Sequence, residues 1–403
     1  MNCRFCKSKL KDVFVDLVNS PASNSFLDYE QLNRPEIFYP LKLFVCEKCF
    51  LVQIDEYKKS DEIFNNDYAY FSSFSSSWLN HAQNYVSMII NKLALDKESQ
   101  VIEIASNDGY LLQYFKEKKI PCLGIEPTTS TAKVAKEKGI EVIEDFFSLE
   151  LASYLEKADL ILGNNVLAHV PNVNDFVAGL KKALKESGTI NMEFPHLLNL
   201  IKENQFDTIY HEHFSYFSFF TVKKIFEAQG LKLYDVEKLA THGGSLRIYA
   251  THVENNIIIS QNVKKLLEEE EAFGLMEMNI YKSFQKKANK VKYDLLEFLF
   301  EVKRENKKII AYGAAAKGNT LLNYTGVKND LIEFVVDKSP YKQGKYLPAS
   351  HIPIVSENKI KETKPDYVLI LPWNIKEEVM KQLVYINDWN CKFVVAIPEI
   401  EVI

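Results

Sequence analysis

The sequence has no long apolar run and no excess of positive charge, and these two absences exclude several classes of protein. No apolar segment approaches the roughly 20 residues that cross a bilayer, so we expect no membrane partner. A net charge of −5 gives no reason to expect binding to nucleic acid. The first six residues lack the apolar stretch of a signal peptide, which favours a cytoplasmic protein, and we expect a monomer.

Cysteine is also scarce, and four of the six residues form two Cys-x-x-Cys pairs, Cys3/Cys6 and Cys46/Cys49. Tetrahedral zinc takes four thiolates, and each Cys-x-x-Cys turn supplies two of them. A set of four leaves no open coordination position, so the sequence predicts a structural zinc ion. A redox pair or accidental spacing are the alternatives.

The remaining composition, 47% apolar and 26% charged over 403 residues, is that of a globular protein with two or three domains. Short apolar runs alternate with helical patterns over residues 101–194 and again over 308–397, which predicts two α/β units with mostly parallel sheets. Between them, residues 258–306 lack strand signals and carry dense charge. We predict a solvated helical connector there.

The segment from Val101 to Gly109 joins a predicted strand to a predicted helix, the usual position of a nucleotide cofactor. Ala105 and Asn107 stand where glycines are common, and Gly109 is retained. Glu126, after the next strand, can accept hydrogen bonds from ribose hydroxyls. The missing glycines count against a dinucleotide and less against S-adenosylmethionine, which has no phosphate. A plain turn and a nicotinamide enzyme remain alternatives.

The segment Tyr210-His211-Glu212-His213 concentrates groups that transfer protons. Histidine suits a general base because its pKa lies near neutrality, and tyrosine can donate a hydrogen bond to a developing oxyanion. An extended chain would place the two histidines on one face. A His-x-His metal site and a structural polar cluster are the alternatives. His169 follows a predicted strand, where it would face the cofactor edge of the sheet.

Two further turns are candidates for anion binding, although structural turns explain them equally well. The first contains His242, Ser245 and Arg247, which combine small residues with a cation. The second, from Gly313 to Gly318, joins a strand to a helix and carries Lys317.

With these residues in place, the chain resembles the sugar C-methyltransferase family of deoxysugar biosynthesis. The similarity covers nearly the whole chain, and the motifs Tyr-His-Glu-His and His-Gly-Gly-Ser-Leu-Arg are its most specific parts. Beyond the cysteine pairs, the similar segments are Asp67–Ser73, Glu103–Leu112, Asn164–Pro171, Tyr210–Ser218, His242–Arg247 and Gly313–Asn319.

The resemblance implies an α/β protein built around a Rossmann-like methyltransferase domain. Residues 1–65 would form a small zinc-binding domain, and residues 66–257 the domain that binds S-adenosylmethionine. After the connector at 258–306, residues 307–403 would form a Rossmann-like domain that binds substrate.

The resemblance also implies residue roles. It favours S-adenosylmethionine as the cofactor, with contacts from Glu103, Ala105, Asn107, Gly109, Glu126, Asp145, Phe146 and Asn164. The implied substrate is a nucleoside-diphosphate 4-keto sugar methylated at C3. His213 would be the base, surrounded by Tyr210, Glu212, His169 and Tyr70. Substrate contacts would come from His242, Ser245, Arg247 and Lys317.

These roles give a mechanistic hypothesis in which His213 removes the C3 proton and Tyr210 stabilises the enolate. An O-methyltransferase acting on a sugar hydroxyl would use the same cofactor domain but needs no ketone. A non-catalytic zinc-containing protein that binds S-adenosylmethionine is the second alternative.

Overall fold

The computed structural model describes residues 1–63 and 71–403. The strands are β1 (Asp12–Ser20), β2 (Tyr39–Val45), β3 (Val52–Ile54), β4 (Val101–Ile104), β5 (Cys122–Ile125), β6 (Glu141–Ile143), β7 (Ala158–Asn164), β8 (Leu184–Pro195), β9 (Ser215–Tyr216), β10 (Leu231–Leu239), β11 (Ser245–His252), β12 (Ile309–Tyr312), β13 (Val335–Val336), β14 (Ile354–Val355), β15 (Tyr367–Ile370), β16 (Lys392–Val395) and β17 (Glu401–Val402). The helices are α1 (Ser60–Ile63), α2 (Ser76–Leu93), α3 (Leu112–Glu117), α4 (Thr129–Glu137), α5 (Leu149–Ala152), α6 (Val173–Ala183), α7 (Leu197–Lys202), α8 (Phe219–Ala228), α9 (Gln261–Phe273), α10 (Met278–Lys282), α11 (Phe284–Arg304), α12 (Ala316–Thr325), α13 (Asn358–Thr363) and α14 (Lys376–Gln382).

The N-terminal sheet is antiparallel and has the strand order β1-β2-β3-β9. Strand β1 was not predicted from the sequence. Two register shifts interrupt its pairing with β2, and Val18 adopts a φ of 65°, so the two-residue alternation that marks a strand is broken. The edge strand β9 comes from far along the chain, since Val52 pairs with Tyr216. This pairing attaches the chain just after His213 to the N-terminal sheet.

The central sheet has the order β10-β11-β8-β7-β4-β5-β6, with β11 antiparallel to both of its neighbours. Strands β4 to β8 are parallel, as the alternation predicted. The chain runs from β4 outward through β5 and β6, then crosses to β7 on the other side of β4. This reversal makes the carboxyl ends of β4 and β7 a topological switch point, where ligands bind in open α/β sheets.

The C-terminal sheet has the order β14-β13-β12-β15-β16-β17 and is parallel except for β17. Its switch point lies between β12 and β15. The strand predicted over 331–336 is only Val335–Val336, because the N–H groups of Leu331 and Ile332 turn back to the Lys328 carbonyl and do not pair with a neighbouring strand.

Residues 258–306 are helical as predicted, but the expectation of a solvated connector is wrong for one face of the helices. Helix α11 buries a continuous apolar stripe against the N-terminal and C-terminal sheets. The stripe consists of Phe284, Ala288, Val291, Leu295, Leu299 and Val302. Spacing of three and four residues places these side chains on one side, and the charges lie on the other.

Glu270 on α9 is likewise not a solvated charge, since its side chain is completely buried. Its carboxylate accepts hydrogen bonds from the backbone N–H groups of Phe219 (2.6 Å) and Phe220 (2.8 Å) at the start of α8. The His196 Nε2 atom lies 2.6 Å away. The carboxylate therefore satisfies N–H groups that the helix itself leaves unpaired. Among the residues that the structure describes, no helix is long and apolar enough to cross a membrane.

Candidate active site

A cavity of about 590 Å³ lies where the three sheets meet, and we call it the central cavity. The carboxyl ends of β4, β5 and β7 form one wall, and the segment containing residues 208–213 forms another. The loop between β1 and β2 contributes Asn24, and the C-terminal switch point contributes Lys317 and Asn374. All three parts of the chain therefore border one space.

The turn after β4 has the left-handed backbone conformation that is typical of glycine-rich turns. Ala105 and Asn107 have φ values of 55° and 51°, in the left-handed region that glycine adopts most easily. Both residues line the central cavity. The chain thus keeps the backbone of a nucleotide-binding turn without its glycines.

Glu126 closes this turn from the next strand. Its carboxylate accepts the N–H groups of Asn107 and Thr128, each at 2.9 Å. Burial raises the pKa of Glu126, and the hydrogen bond from Thr128 opposes the shift. Because each oxygen is fixed by one backbone donor, the remaining lone pairs can accept ribose hydroxyls.

The other cofactor candidates divide into two groups. Asp145, Phe146 and Asn164 line the central cavity. The structure does not bring Glu103 and Gly109 to its wall. Glu103 is fully buried, and desolvation raises its pKa well above the ordinary value.

Gly109 has a structural reason for its identity. Its φ is 73°, and a Cβ added there would lie 2.4 Å from the Ile140 Cδ1 atom and 3.2 Å from the Ala135 Cβ atom. Close packing of the turn against α4 and the chain before β6 therefore requires glycine.

On the opposite wall, His213 is buried between two rings. The ring centroids of Tyr210 and His169 lie 4.2 and 4.7 Å from that of His213. Burial lowers the pKa of His213 well below its ordinary value, so the ring is neutral near pH 7. A neutral imidazole carries a proton on one ring nitrogen and a lone pair on the other, and that lone pair is what a general base requires.

His169 is oriented by a backbone carbonyl group. Its Nδ1 atom lies 2.7 Å from the backbone carbonyl of Glu212, so Nδ1 is the protonated nitrogen. Burial lowers the pKa of His169 to about 4, so the ring is neutral at pH 7.

Glu212 also lines the central cavity, and burial raises the pKa of its carboxyl group. His211 does not line it, because this segment is a turn and not an extended strand. The ring of His211 instead packs on Tyr39 and Tyr57 of the N-terminal part. Because the segment is not extended, the condition under which the two histidines would share a face is not met. Tyr70 lies outside the described residues.

On the C-terminal side, the Lys317 ammonium donates to the Asn374 Oδ1 atom at 2.6 Å and lies 4.8 Å from the Trp373 ring centroid. Burial lowers the pKa of Lys317, and the negative charge of Asp207 opposes the shift. Asp207 is itself buried, which raises its pKa to about 6, and its Oδ2 atom accepts the Trp373 indole N–H at 2.7 Å. A half-buried cation thus lines the central cavity.

His242 lines the cavity as well, in a left-handed conformation with a φ of 54°. Its Nε2 atom accepts from the Asn165 amide at 3.0 Å, and burial lowers the pKa of its ring to about 4. A Cβ added to Gly243 would lie 2.4 Å from the Trp373 side chain. Position 243 must therefore be glycine for the turn to pack against the C-terminal part.

The structure does not bring Ser245 and Arg247 to the central cavity. The Ser245 hydroxyl donates to the Thr241 carbonyl at 3.1 Å. The Arg247 guanidinium pairs with Glu193 at 3.1 Å and Glu237 at 3.2 Å. Glu193 is completely buried, and Arg247 serves as its counter-ion. We therefore leave both Ser245 and Arg247 out of the proposed substrate site.

The four cysteines of the N-terminal part converge as the spacing predicted. Their Sγ atoms all lie within 4.8 Å of one another, with Cys3–Cys49 at 3.5 Å and Cys6–Cys46 at 3.4 Å. Thiolates on one tetrahedral zinc ion lie ~3.8 Å apart, so the four residues fit that ion. Among the residues that the structure describes, these four cysteines form the one cluster of three or more potential metal ligands. The cluster contains no histidine.

Several cavity-lining residues were missed in the sequence. Trp78 packs against His242 with ring centroids 5.1 Å apart, but its helical spacing made it look like core. Asn24 lies in a loop without a recognisable pattern. Asn374 could have been found, because it follows a parallel strand where side chains gather at the carboxyl edge.

Three family models match successive parts of the chain. Residues 3–64 match the model described as "Putative zinc binding domain", residues 78–236 a methyltransferase domain, and residues 240–398 a C-methyltransferase C-terminal domain. The sheet order, the cluster of four cysteines and these matches define an S-adenosylmethionine-dependent methyltransferase with a zinc-binding domain.

Among curated proteins, the C-methyltransferase NovU of Streptomyces niveus is 32% identical over 408 residues. The alignment covers 100% of this chain and 96% of the relative. The chain therefore belongs to this C-methyltransferase family, which confirms the resemblance found in the sequence.

Two solved structures match less than half of this chain. The PH0226 protein from Pyrococcus horikoshii OT3 is 13% identical with a TM-score of 0.38, and the match covers 45% of this chain and 94% of that one. Magnesium protoporphyrin IX methyltransferase from Synechocystis PCC 6803, solved with bound SAH, is 14% identical with a TM-score of 0.36. That match covers 43% of this chain and 84% of the other.

Proposed function

We propose that this enzyme methylates C3 of a nucleoside-diphosphate 4-keto sugar, with His213 as the general base. One observation carries the proposal. A buried imidazole whose lone pair is available lies in the same cavity as the turn that Glu126 closes. A C–H bond beside a ketone is acidic enough for such a base, because the resulting charge spreads onto oxygen.

In this mechanism, the electrons of the broken C3–H bond delocalise onto the ketone oxygen as the proton passes to the ring nitrogen of His213. Tyr210, beside His213, would donate a hydrogen bond to the enolate oxygen. His169 and Glu212 would hold sugar hydroxyls and keep the reacting carbon in place. S-adenosylmethionine bound at the Glu126 turn would supply the electrophilic methyl group that the enolate carbon takes.

The diphosphate of the substrate would lie at the C-terminal wall. Lys317 is a half-buried cation that lines the central cavity, and it stands in the first turn of α12, where backbone N–H groups favour anions. His242, which also lines the cavity, would contact the sugar. The C-terminal part would thereby select a nucleotide-linked sugar over a free one.

The proposal is tested by deuterium exchange at C3 of nucleotide 4-keto sugars in D₂O with S-adenosylhomocysteine present. We expect exchange with the wild type and at least a ~100-fold loss with His213→Asn, the size typical of a removed general base. His252→Asn, at the end of β11, is the matched control and should exchange normally.

Mass spectrometry with S-adenosylmethionine then detects the added methyl group, and NMR locates it. A methyl group on oxygen, without exchange, would establish an O-methyltransferase. Unchanged exchange in His213→Asn would remove His213 as the base.

A further inference from the structure

We propose that Asn24, from the zinc-binding domain, is a positioning residue that orients the Glu212 carboxylate in the active site. The inference rests on the proposed function, in which Glu212 borders the sugar. It gives the N-terminal domain a part in methyl transfer beyond holding zinc.

The contact itself is a single hydrogen bond across the mouth of the central cavity. The Asn24 Nδ2 atom donates to the Glu212 Oε1 atom at 2.8 Å, and both side chains line the cavity. A donor on one oxygen fixes the plane of the carboxylate. In the proposed function, the second oxygen accepts a sugar hydroxyl.

The backbone beside Asn24 is anchored from the C-terminal domain. The Asn319 Nδ2 atom, on α12, donates to the Ser23 carbonyl at 2.5 Å, and both residues are buried. One residue further along α12, the Thr320 hydroxyl donates to the Ile209 carbonyl at 2.8 Å, just before Tyr210. Helix α12 therefore fixes both partners of the contact relative to each other.

The charges at this contact favour a positioning role. Burial raises the pKa of Glu212, and the Asn24 amide opposes that shift because it stabilises the ionised form. Asn24 is exposed on its solvent side, so replacing it removes little packing. Loss of function in a variant can then be separated from loss of folding.

The experiment compares Asn24→Ala and the isosteric Asn24→Asp with Asn33→Ala, an exposed asparagine of the same domain. We expect kcat/KM for the nucleotide keto sugar to fall ~10-fold in Asn24→Ala, as a hydrogen bond to a charged group implies, and further in Asn24→Asp, where two carboxylates meet. The Kd for S-adenosylmethionine and the zinc content should not change. Asn33→Ala should behave as wild type.

A double-mutant cycle with Glu212→Ala, which removes the acceptor of the Asn24 hydrogen bond, identifies the route of the effect. If Asn24 acts through Glu212, adding Asn24→Ala to Glu212→Ala should change kcat/KM less than 2-fold. An equal loss in both backgrounds, or no loss in either, would overturn the positioning role while leaving the proposed function intact.

Full activity of Glu212→Ala alone would instead refute the proposed role of Glu212. Unfolding curves at pH 8 provide a readout that needs no substrate. Asn24→Ala should lower Tm in the wild-type background and leave it unchanged in the Glu212→Ala background, where the acceptor is absent. Equal Tm losses in the two backgrounds would overturn the inference even for an enzyme with another substrate.

Discussion

Replacing Glu126 by glutamine should weaken S-adenosylmethionine binding without unfolding the protein. In the native turn, each carboxylate oxygen accepts one backbone N–H at 2.9 Å, from Asn107 and from Thr128. Glutamine supplies one oxygen and one NH₂ group, so one backbone donor faces another donor. The ribose also loses one acceptor.

The magnitude follows from these contacts. A hydrogen bond to a charged group contributes ~1.5–3 kcal/mol, and ~1.4 kcal/mol is a tenfold change in affinity. We therefore expect the Kd for S-adenosylmethionine to rise ~10-fold to 100-fold. The unpaired backbone N–H should also reduce the free energy of unfolding by ~1–3 kcal/mol.

Isothermal titration calorimetry measures the affinity, and urea unfolding shows how much of the variant is folded. Glu141→Gln, on the neighbouring strand β6, is the matched control, because that side chain is exposed and lines no cavity. A Kd for Glu126→Gln within twofold of the wild type would refute the assignment of Glu126 as the ribose acceptor.

Other predictions test the remaining parts of the structure. Cys46→Ser should lower zinc content and Tm together, measured by elemental analysis and calorimetry; full zinc occupancy would contradict the four-cysteine site. Because burial lowers the pKa of His213 well below 6.5, its neutral form persists below pH 6.5. Deuterium exchange should therefore stay constant from pH 7.5 to 6.5 and fall only at lower pH, and a midpoint near 6.5 would argue against a buried base. Lys317→Met should raise KM for the nucleotide sugar ~10-fold, the loss of one charge-assisted contact, and leave S-adenosylmethionine affinity unchanged. Arg247→Met should instead cost about 3–5 kcal/mol of stability in urea unfolding, since it leaves Glu193 buried without its counter-ion.

Local patterns were sufficient to predict many of the elements. The strands β4 and β5 and the helix α4 follow from apolar runs and helical spacing within a few residues. The two cysteine pairs predicted the metal-binding cluster, because ligand identity and spacing are written in the chain. Strand β1 could not be found in this way, since its bulges break the periodicity that reveals a strand.

The arrangement of the site depended on contacts between residues far apart in sequence. Arg247 and Lys317 look alike in sequence, each a cation near small residues. Tertiary structure pairs Arg247 with buried Glu193 and leaves Lys317 facing the central cavity. Asn24 lies 188 residues before Glu212, and only packing against α12 brings the two together. Residue types and short-range periodicity are properties of the chain itself, whereas the partner of each charge is decided when the sheets pack.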